Sequence, residues 1–331
     1  MESIIEGGEN MVIKIPPVTD EEWLECNEWN RIIIEEFLQQ QHLSDHTLKQ
    51  YTSGLRIFAR WIKDHPMIKN KPIHELKPRH ALNYQNDLLK LDLSANAVAF
   101  KRSVVSSLCN YIELYYGEDY PLFRNIYSKA IPSPAKELVR EKNIIAKEDL
   151  EKLSKELESQ GEYQMLAYLL LSYNTGARRA EIAQMKKEFF EMPKVKGKDY
   201  YMTPEIRGKG KGKVGKKIKL VYDEATRQAV LNWLEKRGED ENPYVFVRKY
   251  KNGTTKELNP DAFNSWFTNK FNPILGYKLT PHALRRSRAT HLVVEEGKDI
   301  NKAKVLLNHN STETTSIYVM KNDSEELDGI F

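Results

Sequence analysis

Only two cysteines, Cys26 and Cys109, occur in 331 residues. They are too few and too far apart for a disulfide framework or a zinc site, and they suit a reducing compartment. No apolar run reaches the roughly 18 residues a membrane-spanning helix needs, so no membrane segment is expected. Met1 to Asn10 carries three Glu and no base. A secretory signal needs a positive start and an apolar stretch, so the expected location is the cytoplasm. Acidic residues are nowhere clustered in the manner of a two-metal nuclease site, and G-x-x-x-x-G-K-[ST], the nucleotide-phosphate loop, is missing. Neither a metal nor a nucleotide cofactor is therefore expected. With 40% hydrophobic and 30% charged residues, the chain is of ordinary globular composition and long enough for two domains.

The net charge is a modest +4, but it is unevenly placed. Residues 1–41 hold ten acids against Lys14 and Arg31, and residues 319–331 hold four acids against Lys321. A basic body thus lies between acidic ends. Such a body can supply the salt-sensitive grip on phosphates that nucleic acid binding requires, although a solvated charged surface would look the same.

The sequence predicts a mainly α chain with a small β-hairpin or sheet in its second half. Residues 1–27 form an acidic leader. Residues 28–116 form an all-helical domain: Trp29, Ile32, Ile33, Glu36 and Phe37 start a helical period, Ser44 or Asp45 caps the next helix, and two more helices end at Tyr116. Residues 117–142, with Pro121, Pro132 and Pro134 among bases, read as an extended basic linker. Residues 143–331 form a second domain with a short tail. In it, 200–220 reads as strand, Gly-rich turn and strand, and 281–296 as one helix.

Four local patterns carry chemistry. The hairpin 205–220 holds seven bases, among them Arg207, Lys209, Lys211, Lys213, Lys216 and Lys217, and one acid. It could lie along a nucleic acid with its bases on phosphates, or be a solvated loop. Thr280-Pro281-His282-Ala283-Leu284-Arg285 opens a helix, with Thr280 as cap and Pro281 at the first position. His282 and Arg285 then share a face near a helix N-terminus, an anion pocket in the making. Gly176 can end a helix just before Arg178, which Glu181 can brace. His309 follows an apolar run, and Asn310 can cap a short helix with Glu313 three residues on. Tyr318 ends that helix.

Taken in order, Arg, basic hairpin, His-x-x-Arg, His and Tyr resemble the catalytic domain of the tyrosine recombinases, the phage-integrase and Xer-like family. The family's T-G-x-R-x-x-E matches 175–181, its Gly-Lys-Gly hairpin 208–210, its H-x-L-R-x-S 282–287, the A-T-H-L that follows 289–292, and its L-L-x-H with a later Tyr 306–309 and Tyr318. The resemblance spans about 145 to 320, and more weakly the helical domain, which looks like the family's core-binding domain. Asn308 stands where Gly is usual, Arg179 where a small apolar residue is usual, and Arg286 where His is frequent.

The resemblance implies a site-specific recombinase that cleaves and rejoins DNA through a 3′-phosphotyrosyl intermediate, in integration and excision or in replicon resolution. It implies Tyr318 as nucleophile, Arg178 and Arg285 on the phosphoryl oxygens, His282 as proton acceptor with His309 adding a hydrogen bond, and Glu181 orienting an arginine. Lys209 matches the general acid, with Lys211 and Lys213 as alternatives because the repeated Lys-Gly leaves the register open. Double-stranded DNA is the implied partner, a homotetramer the implied synaptic assembly and a monomer the free form. A type IB topoisomerase or telomere resolvase shares this chemistry, and a non-catalytic DNA-binding protein on the same scaffold is the other reading. The full residue set favours the recombinase.

Overall fold

A computed structural model describes residues 15–40, 43–127, 131–134, 143–210, 215–316 and 319. The chain divides near residue 140 into two compact units. Both are mainly helical, with short two-stranded β pieces in the second, as expected from the sequence. No described helix is long and apolar enough to cross a membrane.

The first unit is built from α1 (Asp20–Leu24), α2 (Glu28–Leu38), α3 (Asp45–Asp64), α4 (Pro78–Lys90) and α5 (Ala95–Tyr115). Ser44 caps α3 by accepting from Thr47 N. α3 and α5 bury Leu55, Phe58, Val105 and Leu108 against each other, each such side chain contributing about 1.5–3 kcal/mol. α2 turns differently from the predicted period. Asn30, Ile33, Ile34 and Phe37 face inward, while Ile32 is 58% exposed. Asn30 sets that rotation, because its amide accepts from Ile73 N and donates to Lys71 O. The described part of the acidic leader, from Ile15 on, packs onto the helices that follow. Asp20, Glu22 and Glu25 pair with Arg56, Arg60 and Lys63 along α3, and Trp23 and Cys26 are buried. Of the predicted linker, Phe123, Ile126 and Ile131 are buried in the same core. That core therefore draws on residues before 28 and after 116.

In the second unit, α6 (Lys147–Ser159) precedes α7 (Tyr163–Thr175), which packs against α6, α9 (Glu224–Arg237) and α12 (Pro281–Thr290). α7 is apolar on most sides, as a central helix must be. Between α7 and α9 come α8 (Arg179–Ile182) and the strands β1 (Tyr201–Met202), β2 (Ile206–Gly208), β3 (Lys216–Ile218) and β4 (Val221–Tyr222). β1 pairs with β4 and β2 with β3, both antiparallel, with Ile206 opposite Ile218 and Gly208 opposite Lys216. A further hairpin, β5 (Val247–Lys249) and β6 (Thr255–Glu257), precedes α10 (Ala262–Trp266) and α11 (Asn272–Leu275). After α12 follow α13 (Ile300–Leu306) and α14 (Thr312–Ser316). The predicted helix 281–296 is interrupted. Beyond Thr290 it continues as a π turn, His291–Glu295, in which Glu296 N donates to His291 O. His291 is fully buried there, with Nδ1 2.6 Å from the Tyr173 hydroxyl on α7. One added residue per turn presents that ring to α7.

Candidate active site

Three chain segments meet in the second unit, and each is shaped by a helix end. α7 stops at Gly176, whose φ of +57° is left-handed. A Cβ there would also sit 2.5 Å from Leu307 Cδ2, so the position needs glycine for conformation and for close approach. Arg178 follows as the N-cap of α8. Its own N–H donates to Glu181 Oε2 at 2.7 Å, and its Nη1 to Glu181 Oε1 at 2.9 Å. Glu181 is 2% exposed, so both oxygens of a buried carboxylate hold the residue by main chain and side chain. Gln184 extends the brace: its amide donates to Arg207 O and accepts from Arg207 N, joining α8 to the edge of β2.

The second segment is α12. Thr280 caps it by accepting from Ala283 N at 3.2 Å, and Pro281 occupies the first turn, as read from the sequence. His282 is exposed and Arg285 is 1% exposed. Arg285 donates Nη1 to Gly176 O and Nη2 to Leu307 O, the latter at 2.6 Å. One guanidinium thus ties the turn that carries Arg178 to the end of the helix that precedes His309.

That end is a Schellman motif. Asn308 N donates to Val305 O and His309 N to Lys304 O, both at 3.0 Å, with Asn308 at φ +53°. Asn tolerates the left-handed region better than other non-glycine residues, which accounts for the residue that departs from the family pattern. Asn308→Gly is expected to leave stability within about 1 kcal/mol of the parent. Asn308→Val should cost roughly 1–2 kcal/mol, since a β-branched residue resists positive φ. Denaturant melts of the two variants check this.

His309 is 7% exposed, and its Nδ1 lies 3.0 Å from Thr315 Oγ1 on α14. The cap of α14 differs from the prediction. Ser311, not Asn310, accepts from Thr314 N, while Asn310 Oδ1 accepts from Lys216 Nζ at 3.2 Å. The lysine claims the asparagine, and the next hydroxyl takes the cap.

Burial first, then the charges of Arg285, Arg178 and Lys216, hold His309 down at about 4. His282 is also lowered, first by burial and then by Arg179, Arg285, Arg178 and Arg286; its edge is open, but enough chain surrounds the ring to cost it solvation. The fields of Arg178 and Arg285 therefore reach both imidazoles. Both rings are neutral near pH 7, so each offers one donor and one acceptor nitrogen. Because His309 binds its proton more weakly folded than unfolded, its contribution to stability is present above about pH 6.5 and is lost as pH falls toward 4. The His309→Gln variant should lose less stability than the parent between pH 7 and pH 4.5, by roughly 2 kcal/mol. Denaturant midpoints at the two pH values measure it.

Of the first hairpin, Arg207, Lys209, Lys216 and Lys217 are exposed, and Lys217 pairs with Glu205 at 3.2 Å. Lys209 directly follows β2. Lys211, Lys213 and Tyr318 lie outside the described residues. Arg178, Glu181, His282, Arg285, His309 and Lys216 are thus linked by hydrogen bonds or electrostatic reach. Sequence reasoning missed Gln184 and Thr315, whose amide and hydroxyl carried no pattern of their own. Among the described residues no group of His, Cys, Asp or Glu is placed to hold a metal ion. A cluster of cations and neutral imidazoles with one buried acid is built to hold an oxyanion.

Comparison with known proteins agrees with that chemistry. The sequence pattern of the phage integrase family matches residues 143–325. The SPbeta prophage-derived recombinase-like protein YomM of Bacillus subtilis is 31% identical over 324 residues, 96% of either chain. The tyrosine recombinase XerA of Thermococcus kodakarensis is 30% identical over 291 residues, covering 86% of this chain and 89% of that one. The fold is shared with the XerH site-specific recombinase bound to a palindromic difH substrate, at a TM-score of 0.68 and 17% identity over 95% of this chain and 97% of that one. It is shared also with the Tn1549 transposon integrase in complex with circular intermediate DNA, at 0.66 and 13% identity over 90% and 97%. The chain belongs to the phage integrase family and is a tyrosine recombinase, an enzyme that breaks and rejoins DNA.

Proposed function

We propose that Tyr318 is the nucleophile of strand cleavage in duplex DNA. Its phenolic oxygen forms a bond to the scissile phosphorus as the bond from phosphorus to the 5′-oxygen breaks. The phenolic proton passes to neutral His282, and Lys209, with Lys211 and Lys213 as alternatives, protonates the departing 5′-oxygen. Arg178 and Arg285 stabilise the charge that grows on the non-bridging oxygens, and His309 donates a further hydrogen bond there. Glu181 positions Arg178. Attack by the 5′-hydroxyl of a partner strand reverses the sequence and releases the tyrosine, so the bond energy is conserved and no outside energy source is consumed.

The observation that carries this assignment is the double donation of Arg285, because it gathers the Arg178 turn and the His309 turn around one cation. In the same reading Arg207, Lys216 and Lys217 contact phosphates, and residues 28–116, with the flanking residues packed into the same core, serve as a core-binding domain that precedes the catalytic domain of 143–331. The DNA-bound XerH and Tn1549 integrase complexes, whose fold matches most of this chain, support duplex DNA as the partner. The working assembly is a homotetramer on paired sites in the cytoplasm.

The test is to trap the enzyme on a nicked duplex carrying its recombination site and to map the DNA-linked peptide by mass spectrometry. The adduct is expected on Tyr318. Linkage to any other residue overturns the assignment.

A further inference from the structure

Gln184 belongs to none of the patterns that carry chemistry in the sequence, yet its main chain is held on both sides. Gln184 N donates to Glu181 O at 3.2 Å, and the next residue, Met185, is fully buried with its O accepting from Val245 N at 2.8 Å. The side chain runs from this anchored turn to the edge of β2. Its Nε2 donates to Ala180 O at 2.6 Å and to Arg207 O at 2.9 Å, and its Oε1 accepts from Arg207 N at 3.0 Å.

In an antiparallel ladder, alternate residues turn both main-chain groups toward the partner strand and the others turn them outward. β2 has three residues, and its outward pair belongs to Arg207, opposite Lys217 in the register. One glutamine amide, with a donor and an acceptor, meets that pair as the backbone of a further strand would. β3 thus holds β2 from one edge and Gln184 from the other. Strand alternation puts Ile206 and Gly208 on the buried face and Arg207 and Lys209 on the open one.

The residues on either side of Lys209 carry no side chain. At Gly208 a Cβ would come within 2.9 Å of Ile218 Cγ2, and at Gly210 within 2.6 Å of Lys216 N. Both glycines let the strands approach closely while packing nothing themselves. Gln184, through Arg207, supplies the lateral hold that two glycines cannot. The same turn also sets the first arginine, because the Glu181 that binds Gln184 N through its main chain holds Arg178 through its carboxylate. The spacing between Arg178 and Lys209 therefore passes through Gln184.

We propose that Gln184 is a positioning residue for proton delivery. It pins Arg207 so that Lys209, rather than Lys211 or Lys213, meets the departing 5′-oxygen, where its ammonium gives up a proton as the bond from phosphorus to that oxygen breaks. The proposal rests on the reading that a hairpin lysine protonates this oxygen. A general acid works within about 2.6–3.2 Å of the atom it protonates, and a misplacement of about 1 Å costs on the order of 10²-fold. The charge on the non-bridging oxygens is held by other groups, so loss of Gln184 should spare that part of the reaction.

Single-turnover cleavage is measured for the full chain with Gln184→Met, which keeps the length and removes the hydrogen bonds, and with Gln184→Glu, which keeps the acceptor and loses the donor. Each is run on a duplex carrying the recombination site and on the same duplex with sulfur in place of the bridging 5′-oxygen, a leaving group that departs as thiolate without a proton. Both variants should cleave the oxygen substrate about 10–100-fold more slowly than the parent and the sulfur substrate at nearly the parent rate. Parental cleavage of the oxygen substrate would overturn the proposal. So would a defect that persists with sulfur, the result expected if Gln184 supports only the fold or the Arg178 turn. Lys209→Ala tells the two readings apart. If sulfur rescues it but not Gln184→Met, Lys209 stands as the acid and the role of Gln184 falls. If sulfur does not rescue it, the assignment of Lys209 falls and the proposal with it.

Discussion

Tyr318→Phe is expected to reduce the detergent-resistant protein–DNA adduct to background while binding persists in a gel shift. The substitution removes one oxygen and leaves the ring, so the loss isolates the nucleophile. A phenol ionises near pH 10, and it attacks at neutral pH only if its proton leaves as the bond to phosphorus forms. His282, lowered by burial and by four arginines, is neutral and able to take it. Affinity is set mainly by phosphate contacts spread over the protein, and one hydroxyl contributes little to them. Groups that act as a unit are also non-additive. Arg178→Ala combined with Tyr318→Phe should therefore be no more defective in adduct formation than Tyr318→Phe by itself. An adduct that survives detergent in the Phe variant would remove Tyr318 from the reaction.

Arg285→Lys should be nearly as damaging to cleavage, although it preserves the charge. A lysine has a single ammonium and cannot span the two carbonyls that the planar fork reaches. At least one of Gly176 O and Leu307 O is left without its buried cationic donor. Each charge-assisted hydrogen bond lost costs about 1.5–3 kcal/mol, and the denaturant midpoint should fall accordingly. Removing a preorganised oxyanion donor typically costs about 10²–10³ in rate, and the relaxed turns should displace Arg178 and His309 in addition. Single-turnover cleavage near the parent rate, with an unshifted midpoint, would contradict the bridging role.

Much of this site was legible in the sequence because its parts are helix ends, and helix ends have residue signatures. Thr280 with Pro281, Gly176 before Arg178, and Glu181 three residues after Arg178 announce their geometry. What stayed hidden depends on partners without identity in a sequence. Gly176 O and Leu307 O are backbone atoms, so nothing in the residue string points Arg285 at them. Asn308 read as a departure until its left-handed φ showed the job it shares with glycine. Asn310 met every local rule for a cap and lost the role to Ser311 through a long-range bond from Lys216. The strands at 247–257 were missed because each is three residues long, Val-Arg-Lys and Thr-Lys-Glu, too short to show a period.

The two arginines are anchored by different means. Arg178 is held by a carboxylate, whose negative charge offsets part of its field before any DNA arrives. Arg285 is held by two amide carbonyls, whose dipoles fix the direction of its fork. Substitutions that move the main chain at Gly176 or Leu307 should therefore disturb Arg285, whereas those at Glu181 should disturb Arg178. In the proposed reaction a guanidinium aimed by main-chain atoms keeps its heading when neighbouring side chains are exchanged, so the grip on a five-coordinate phosphorus is buffered against drift in the surrounding sequence.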